Sequence, residues 1–561
     1  MSTRISPGGR VEDPVGIETA IARGMPPDGG LYVPTSLPAL PGRVFDPGPL
    51  SYTDLATLIL SPFFPGWENG SLRAVLEKAY GSGGSSAYFD MPEIAPLVPL
   101  LGLALPGDEE RDGRADEECP EGRHDGLDCF PAGGNPPIYL LELFHGRTCA
   151  FKDMALSVLG GFLRESLDRL GRKEPLLVLT ATSGDTGSAA LEGLSAVKGI
   201  HAAVFYPLKG TSEIQRLQMT TVGAEGRFVA GIEGNFDDAQ SAVKNVFARA
   251  SRGEGALAGF SLSSANSINI GRLLPQIVYY VAAWRALAAR GALGADRLMH
   301  VSVPTGNFGD ILAAKYAKEM GLPIGRLVCA SNANKVLADF FSTGIYDRRR
   351  ELMKTESPSM DILVSSNLER LLFMASGRSQ KRVSSLMGEL ASRGWFEINA
   401  AEKAYIADFS SGWCSDPSAK AAIANVWDSC SLLVDPHTAT AVEVAIRTSS
   451  SLKPEAPIVV ASTASPFKFP RACIEALNGA SMDNGGTQPP ADGDWEGVGE
   501  EPPRTGDFAL AERLSTMTGR PMPGAIRALR SKAVTHDTKL PISEVENALA
   551  RYAREKMGAR P

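Results

Sequence analysis

The sequence lacks several features that would define a class of protein at once. No apolar run approaches the roughly 18 residues of a membrane-spanning helix, and the opening stretch Met1–Arg4 lacks the apolar core of a secretory signal. Cysteine is scarce, with 7 in 561 residues, and the odd number argues against a disulfide framework. The net charge of −8 offers no broad basic surface for nucleic acid or anionic membranes. We therefore expect a cytoplasmic protein with free thiols that binds neither nucleic acid nor membrane.

Acidic residues are concentrated in two stretches that are poor in apolar residues. Residues 107–134 hold ten acids against three arginines, and residues 483–505 hold six acids against one arginine. Such stretches bury too little apolar surface to offset the entropy lost on ordering, so we expect flexible loops between folded parts. Cys119, His124 and Cys129 lie in the first stretch, and a metal site there is the alternative to a solvated loop. Their spacing fits no common zinc pattern, which favours the solvated loop.

The full length of 561 residues is enough for three or four domain-sized units. Outside the acidic stretches, the chain alternates between apolar strand-length runs and helical patterns. The runs are Leu176–Ala181, Ala202–Pro207, His300–Pro304, Leu327–Ala330 and Ile458–Ala461. Each is followed by small or polar residues and then a helical pattern, which predicts an α/β fold with mostly parallel sheets covered by helices. Ligands in such folds lie beyond the carboxyl ends of the strands, so these junctions are where chemistry is expected.

The first such junction is the stretch 180–190, Thr-Ala-Thr-Ser-Gly-Asp-Thr-Gly-Ser-Ala-Ala, after the strand at Leu176. Glycine lets a backbone approach a ligand closely, and hydroxyls and helix-start amides supply donors aimed at one point. The pattern suits a carboxylate or phosphate. An ordinary helix capped by Ser183 or Asp185 is the alternative.

The second junction, Val303–Ile311, runs from a strand through Gly-Asn-Phe-Gly into a helix predicted over Ile311–Lys318. Exposed amides and the positive helix end would hold a phosphate dianion without Lys or Arg in contact. No Lys-Ser/Thr follows, and the Gly-x-Gly-x-x-Gly pattern is absent, which argues against ATP and NAD sites. A plain tight turn is the alternative.

A third feature is Lys152, which follows Ala150-Phe151 and precedes Asp153. Downstream apolar residues at helical spacing, interrupted at Ser166, place this lysine at a helix start. The helix dipole disfavours an ammonium there, which would lower its pKa and make the amine a better imine former. A solvated surface charge is the alternative.

These three elements together resemble the pyridoxal-phosphate enzymes of the tryptophan-synthase β-like fold (fold type II), and within them the threonine synthase family. Matching segments run from about residue 3 to residue 480 and occur in the family's order. They include 27–34 (Pro-Asp-Gly-Gly-Leu-Tyr-Val-Pro), 218–221, 265–269, 360–370, 435–439 and 462–469. The resemblance implies two open, mostly parallel α/β domains with a cofactor cleft between them.

The resemblance also implies a role for individual residues. Lys152 would form the Schiff base with pyridoxal 5′-phosphate. The cofactor phosphate would be wrapped by Gly306, Asn307, Phe308, Gly309 and Asp310, and Thr463 would lie by the pyridine nitrogen. The substrate carboxylate would be bound by Thr182, Ser183, Gly184, Asp185 and Thr186, which also lie against the cofactor ring. The substrate's own phosphate would be held by Asn266, Ser267 and Arg272, whose planar fork suits a dianion. No metal site is implied.

The family reaction converts O-phospho-L-homoserine and water into L-threonine and phosphate, and the resemblance implies it here. Two departures from the pattern stand out: Ser465 occupies a position where some relatives carry His, and Asp185 replaces the Asn of more distant members. An aspartate beside the cofactor hydroxyl has to be hydrogen-bonded or protonated. His145 and His437 are open between a ligand contact and a packing role.

The domain organisation expected on this basis has six parts. They are an N-terminal domain (1–106), an acidic insert (107–137), an α/β half with the lysine and the substrate-anion loop (138–298), a half with the cofactor-phosphate loop (299–480), a second insert (481–507) and a helical tail (508–561) with an amphipathic end, Ile542–Met557. We expect a monomer or homodimer. A serine or threonine deaminase, a phosphohomoserine phospholyase and a non-catalytic ligand sensor remain the alternatives.

Overall fold

The structure, a computed structural model, describes the chain except for residues 7–8, 10, 12, 82–87, 104–135, 195–196, 235, 484–505 and 559–561. The first acidic stretch, with Cys119, His124 and Cys129, and nearly all of the second lie outside the described residues. The expectation of flexible loops, and the metal site as its alternative, stay predictions.

Thirteen strands are present in the described part of the chain. They are β1 Leu97–Pro99, β2 Ile138–Glu142, β3 Leu176–Ala181, β4 Ile200–Pro207, β5 Arg227–Glu233, β6 Ser261–Ser264, β7 Met299–Pro304, β8 Ile324–Ser331, β9 Ile345–Asp347, β10 Trp395–Glu397, β11 Phe409–Trp413, β12 Ile458–Ser462 and β13 Thr538–Pro541. All five strands expected from the apolar runs are confirmed, with ends that shift by at most three residues.

The α-helices of the described residues are mostly short and follow the strands. They are α1 Ile17–Arg23, α2 Tyr52–Leu60, α3 Asn69–Tyr80, α4 Asp153–Arg169, α5 Asp185–Gly193, α6 Glu213–Thr220, α7 Phe236–Ser251, α8 Ile270–Leu273, α9 Gln276–Ala289, α10 Gly309–Glu319, α11 Val336–Thr343, α12 Leu368–Ala375, α13 Gln380–Arg393, α14 Ala400–Tyr405, α15 Asp416–Cys430, α16 Pro436–Ser449, α17 Pro470–Asp483, α18 Asp507–Thr518, α19 Gly524–Arg527 and α20 Val545–Met557. Among the described helices, none is both long and apolar enough to span a bilayer.

Two open sheets organise the molecule, as the α/β prediction required. The larger has the order β1-β2-β12-β7-β8-β11 and the smaller β13-β5-β4-β3-β6, while β9 and β10 form a separate antiparallel pair. Apart from the antiparallel β1–β2 edge, every pairing in the two large sheets is parallel. Every residue of β3, β7 and β12 is buried, which explains why these strands read as continuous apolar runs.

The strand β2 does not belong to the sheet that its position in the chain suggests. The predicted boundaries group residues 138–142 with the lysine half, but β2 pairs in parallel with β12 of the larger sheet, with Ile138 opposite Ile458. A local sequence pattern carries no information about which distant strand completes a pairing. The two sheets are therefore not two consecutive segments of chain.

The helix α4 follows the predicted lysine and packs against neighbouring helices. Its apolar stripe, including Val158, Phe162 and Leu167, is fully buried, and so is Ser166, which interrupts the pattern. Helices α1 and α3 pack against α4. The start of α4, and with it Lys152, is thus held by tertiary packing on several sides.

The sequence predicts a helical tail over 508–561, but the structure of this segment also contains a strand. It contains α18, α19 and α20, but Thr538–Pro541 forms β13, which extends the smaller sheet beside β5 with Thr538 opposite Ala230. Only one residue of this strand is buried, so it carries no alternating pattern that would have revealed it. The amphipathic end is confirmed as α20, which is preceded by a short 3₁₀ turn at Ile542–Glu544.

Candidate active site

A cavity of about 840 Å³ opens where the carboxyl ends of both large sheets meet. Its walls include Ala181 at the end of β3, Pro304 at the end of β7 and Thr463 just after β12. Its described lining contains every site residue predicted from the sequence except Gly184: Lys152, Thr182, Ser183, Asp185, Thr186, Asn266, Ser267, Arg272, Gly306, Asn307, Phe308, Gly309, Asp310 and Thr463. The fold thus brings together residues that lie up to 311 positions apart in the chain.

The Lys152 side chain lies at the N-terminal end of α4, with only 11% of its surface exposed. Its Nζ lies 3.3 Å from Oδ2 of Asp185 and 3.4 Å from Oγ of Ser359. Burial is the main cause that lowers the pKa of the amine. Asp185 raises this pKa, and the positive charges of Lys468 and Arg272 lower it further. The sequence predicted the direction of the shift, but the structure assigns it to desolvation first rather than to the helix dipole.

The turn before Lys152 is held by a buried carboxylate. Asp153 accepts hydrogen bonds from the backbone N–H and the hydroxyl of Thr148, at 2.8 and 2.9 Å, and from the hydroxyl of Tyr88 at 3.0 Å. Gly146 approaches this carboxylate so closely that a Cβ there would stand 2.5 Å from Oδ2 of Asp153. The segment therefore requires glycine at 146, and its geometry fixes where α4 begins.

The two histidines left open by the sequence take different places. His145 lies beside Glu142 and Asp90, with ring nitrogens 2.8 and 3.3 Å from their carboxylates, and the described lining of the cavity does not include it. Burial lowers the pKa of His145, but the two carboxylates outweigh burial and raise it to about 9. His437 does line the cavity. Its Nδ1 lies 2.6 Å from Oδ2 of Asp435, and its Nε2 accepts from the backbone N–H of Ser359 at 3.2 Å.

The junction Thr182–Thr186 is shaped by one hydroxyl and one glycine. Oγ1 of Thr182 accepts from the N–H groups of Gly184 and Gly187, both at 2.9 Å, so this oxygen fixes the turn. Gly184 has φ of 149°, and a Cβ there would stand 2.5 Å from Cδ of Gln215. Ser183 and Thr186 face the cavity. The junction leads into α5, whose N-cap is Gly184 rather than Ser183 or Asp185, and its role as an anion site stays a prediction.

Asp185 is the centre of a buried charge cluster. Its Oδ1 lies 2.7 Å from Nζ of Lys468 and 2.8 Å from Nε2 of Gln215, while Oδ2 faces Lys152. Burial alone would raise the pKa of this carboxyl, but the charges of Lys468 and Lys152 hold the pKa well below its usual range. Of the two states that the sequence allowed for Asp185, the structure selects the ionised, hydrogen-bonded one.

Two residues of this cluster were not found from the sequence. Lys468 lies in the quoted stretch 462–469, but nothing local assigned it to Asp185, which is 283 positions away. Gln215 sits on α6, inside a helix with no distinguishing motif beyond its capping box with Ser212. No signal in the sequence would have found Gln215.

The loop Gly306–Asp310 is formed mainly by backbone contacts. Gly306 packs against the segment 359–360, where a Cβ would stand 2.8 Å from the Ser359 carbonyl oxygen. Ser365 donates to the carbonyl of Gly306 at 2.7 Å, and Asn367 donates to that of Asn307 at 3.0 Å. These contacts leave the loop facing the cavity ahead of α10, whose first amides lack intrahelical acceptors.

Two side chains of this loop turn inward. Phe308 has φ of 64° and a buried ring that stacks on Phe341, so this residue offers only its backbone to a ligand. Asp310 accepts hydrogen bonds from Tyr279 and Tyr280, both at 2.5 Å. Burial raises the pKa of Asp310 to about 6, although both tyrosines act against it. Its Oδ2 is buried and, within the described part of the chain, has no hydrogen-bond partner.

A separate wall of the cavity is formed after β6 by Asn266, Ser267 and Arg272. Asn266 donates to the carbonyl of Ala181 at 3.0 Å, which ties β6 to the end of β3. Arg272 is buried at 3 % exposure, and its Nη1 donates to the carbonyl of Ala265 at 2.8 Å. Its Nε is buried without a partner among the described residues, and burial lowers its pKa to about 10. A guanidinium held in this way has spare donors for an anion.

The comparisons with known proteins agree with this geometry. The sequence profile of the family "Pyridoxal-phosphate dependent enzyme" matches residues 130–464, "Threonine synthase N terminus" matches 1–80 and "Threonine synthase, C-terminal" matches 438–505. The threonine synthase of Pseudomonas aeruginosa is 38% identical over 466 residues, which cover 82% of this chain and 87% of that protein. Human threonine synthase-like 1 is 41% identical over 352 residues, or 60% of this chain, and the match spans 46% of that protein's length.

Solved structures show the same similarity. The PLP-bound threonine synthase from Brucella melitensis matches with a TM-score of 0.77 and 32% identity, over 100% of this chain and 99% of that one. The yeast threonine synthase matches with a TM-score of 0.76 and 28% identity, over 99% and 98%. Fold and site thus define a pyridoxal-phosphate-dependent enzyme of the α/β class. The chain belongs, within that class, to the threonine synthase family.

Proposed function

We propose that this protein converts O-phospho-L-homoserine and water into L-threonine and phosphate, with pyridoxal phosphate attached to Lys152. One observation carries the proposal. A buried lysine amine shares a single cavity with two distinct anion-binding walls, the backbone loop Gly306–Asp310 and the wall around Arg272. One wall suits the phosphate of the cofactor, and the other suits that of the substrate.

The residues present fit the cofactor. The loop lines the cavity and leads into α10, whose first amides lack intrahelical acceptors and are free to donate to a phosphate. A cavity of about 840 Å³ leaves room for an aromatic ring between Lys152 and this loop. Thr463 would complete the set with a neutral hydroxyl, which, unlike a carboxylate, leaves a pyridine nitrogen largely unprotonated.

When bound, pyridoxal phosphate supplies an electron sink for negative charge on the substrate carbon beside the amine. The chain's own residues supply position and proton transfer. Nζ of Lys152, with its lowered pKa, would accept the proton from Cα and pass it to the phosphate of the substrate, which leaves the amine free to accept the proton from Cβ. The junction Thr182–Thr186 holds the substrate carboxylate through the amides at the start of α5.

Departure of phosphate from Cγ requires a group that holds the leaving dianion. Arg272, with Asn266 and Ser267, provides that group at a position where burial strengthens its charge-assisted hydrogen bonds. A serine or threonine deaminase has no use for this wall, which favours the phosphorylated substrate. The hydroxyl of water then adds at Cβ, and Nζ of Lys152 is placed to return one proton to Cγ and one to Cα.

Product analysis is the decisive test. Purified protein is incubated with pyridoxal phosphate and O-phospho-L-homoserine, and the amino or keto acid is identified. Threonine with stoichiometric phosphate supports the proposal. Phosphate with 2-oxobutyrate would identify a phospholyase, deamination of serine or threonine alone a deaminase, and cofactor binding without turnover a ligand sensor.

A second test addresses the attachment point. Borohydride reduction of the loaded protein should fix the cofactor to the peptide that contains Lys152, as mass spectrometry detects. Lys152→Ala should abolish this label and the visible absorption of the bound cofactor. Lys354, which also lines the cavity, gives the matched control, since Lys354→Ala should keep the label. A label on any other lysine would overturn the assignment.

We also propose a cytoplasmic location. The five cysteines among the described residues are free thiols, as expected in a reducing compartment. The expectation of a monomer or homodimer stays a prediction.

A further inference from the structure

A second lysine is buried behind the cavity, and the proposed reaction does not use it. Lys468 lies in the 3₁₀ turn Pro466–Lys468, its side chain has no solvent exposure, and the described lining of the cavity does not include it. Its Nζ lies 2.7 Å from Oδ1 of Asp185 and donates to the Thr148 carbonyl at 2.8 Å. A buried ammonium is costly unless a carboxylate compensates it, so Lys468 and Asp185 form a pair.

The two oxygens of Asp185 serve different partners. Oδ1 contacts the ammonium of Lys468 and the side-chain amide of Gln215. Oδ2 faces the cavity, 3.3 Å from both Nζ of Lys152 and Oγ of Ser359. One carboxylate therefore stands between two buried amines, one of which must react while the other cannot reach a ligand.

Counting charges in this cluster shows what the second amine does. With Lys468 charged and Asp185 ionised, the cluster is neutral when the Lys152 amine is uncharged and carries +1 when that amine is protonated. Without Lys468, neutrality would require a protonated Lys152. Burial penalises net charge, so the presence of Lys468 reverses which form of Lys152 the site favours.

Other charged groups face these residues from neighbouring elements. Arg272 of α8 and Asp310 of α10 face Lys152, and Asp153 of α4 faces Lys468. Among the described residues, no ion pair joins any of the three to Lys152 or Asp185. Arg272 and Asp310 act on Lys152 with opposite signs, whereas Lys468 has direct contact with the carboxylate that Lys152 shares.

We propose that Lys468 is a positioning residue that acts as the permanent counterion of Asp185, which lets the Lys152 amine be uncharged while the carboxylate stays ionised. An uncharged amine is the form that attacks an aldehyde. The inference deepens the proposed function, because it concerns how the same site is made ready for its cofactor. It does not depend on which product the enzyme forms.

The test measures the reactivity of Lys152 in the full-length, cofactor-free protein. Acetic anhydride labels only uncharged amines, and peptide mass spectrometry reports the rate of labelling at Lys152 from pH 6 to pH 10. In Lys468→Met, labelling should slow about tenfold at pH 7.5, with its pH midpoint raised by about one pKa unit. An unchanged midpoint would overturn the proposal.

Removing the Asp185 carboxylate as well distinguishes the loss of the Lys468 charge from a change in packing. In the double variant Lys468→Met with Asp185→Asn, labelling should return to at least the wild-type rate, since no anion is left to hold an ammonium. A merely structural role for Lys468 predicts no such rescue. Lys315→Met is the matched control, because Lys315 is similarly buried and paired with Asp408 at 2.8 Å outside the cavity, and its loss should leave the midpoint unchanged.

One variant keeps the proposal testable if Lys468→Met fails to fold. Asp185→Asn alone removes the shared anion and leaves two cations facing each other, so labelling of Lys152 should accelerate. Slower labelling in that variant would contradict the proposal. Because every measurement uses protein without cofactor or substrate, a failure of the proposed threonine synthase activity would leave these results unaffected.

Discussion

Two junctions of this protein look alike in sequence and are built in opposite ways. Both the stretch Thr182–Thr186 and the stretch Gly306–Asp310 follow a buried strand, contain small residues and open a helix. The first carries a cluster of buried charges whose partners come from distant helices and turns. The second is shaped by carbonyl and amide contacts with residues 359–367 and contains one charged residue, Asp310.

Under the proposed function, the difference shows how one fold could prepare two kinds of anion site. Backbone amides, whose charge cannot change, suit a phosphate that stays with the enzyme. A site that faces a reacting amine uses ionisable side chains, because the amine must change protonation state during the reaction. Four further predictions test this contrast.

The largest expected effect concerns the independence of the two sites. Arg272→Ala should raise the KM for O-phospho-L-homoserine on the order of 10- to 100-fold, since a hydrogen bond to a charged group contributes roughly 1.5–3 kcal/mol. Affinity for pyridoxal phosphate should change far less, because the proposed phosphate loop, Gly306–Asp310, does not include Arg272. Steady-state kinetics and cofactor titration measure the two quantities. An unchanged KM would contradict the role of Arg272 in substrate binding. An equal loss of cofactor affinity would show that the two proposed sites are not independent.

The next prediction concerns Asp310, the one charged residue of the loop Gly306–Asp310. Because its pKa is raised to about 6, Asp310 favours the folded state when protonated, and this stability is lost as the pH rises from about 4 to about 6. The loss should be on the order of 2–3 kcal/mol. Asp310→Asn, which keeps an acceptor for Tyr279 and Tyr280, should remove it.

Urea unfolding of the cofactor-free protein at pH 4.5 and pH 6.5 measures this difference. The stability of Asp310→Asn relative to wild type should increase with pH across that window. Asp153, whose pKa is also raised to about 6 by burial, is unaltered in both proteins and cancels from the comparison. Parallel pH profiles for the two proteins would show that Asp310 does not titrate there.

The third prediction tests whether the cofactor loop really depends on backbone packing. Gly306→Ala would place Cβ 2.8 Å from the Ser359 carbonyl oxygen and 3.1 Å from Cα of Met360, so one backbone segment must move. We expect the cofactor-free protein to lose roughly 1–3 kcal/mol of stability. Gly309→Ala is the matched control, since its Cβ would meet nothing closer than 3.5 Å. Equal thermal shifts for both variants would contradict the packing argument.

The smallest expected effect concerns Asp507, which contacts the helix that supports the junction Thr182–Thr186. Asp507 at the start of α18 accepts from the backbone N–H of Glu213 at 2.7 Å, which caps α6, the helix that carries Gln215. Asp507→Ala should cost about 1 kcal/mol of stability and change KM only slightly. On the same helix, Glu512 pairs with Arg530 at the surface, and Glu512→Ala should cost less. Equal losses in both variants would remove this support role for Asp507.

The sequence was informative where function follows from local chemistry. Apolar runs predicted the buried strands, and the spacing after Lys152 predicted α4. It could not show that Lys468 neutralises Asp185, that β2 joins the larger sheet, or that β13 extends the smaller one, because each depends on a pairing between residues far apart in the chain. The sequence also could not show the main cause of the lowered Lys152 pKa, because desolvation is a property of the packed cavity.

By itself the sequence determined the class of fold and predicted which lysine and which two junctions would line one cavity. These follow from the period of apolar residues and from the conformational demands of glycine, which act over a few positions. Only the tertiary structure decided the charge state of the site. Burial and ion pairing depend on what surrounds a group in space, and here three ionisable residues from three elements, Lys152, Asp185 and Lys468, determine it together.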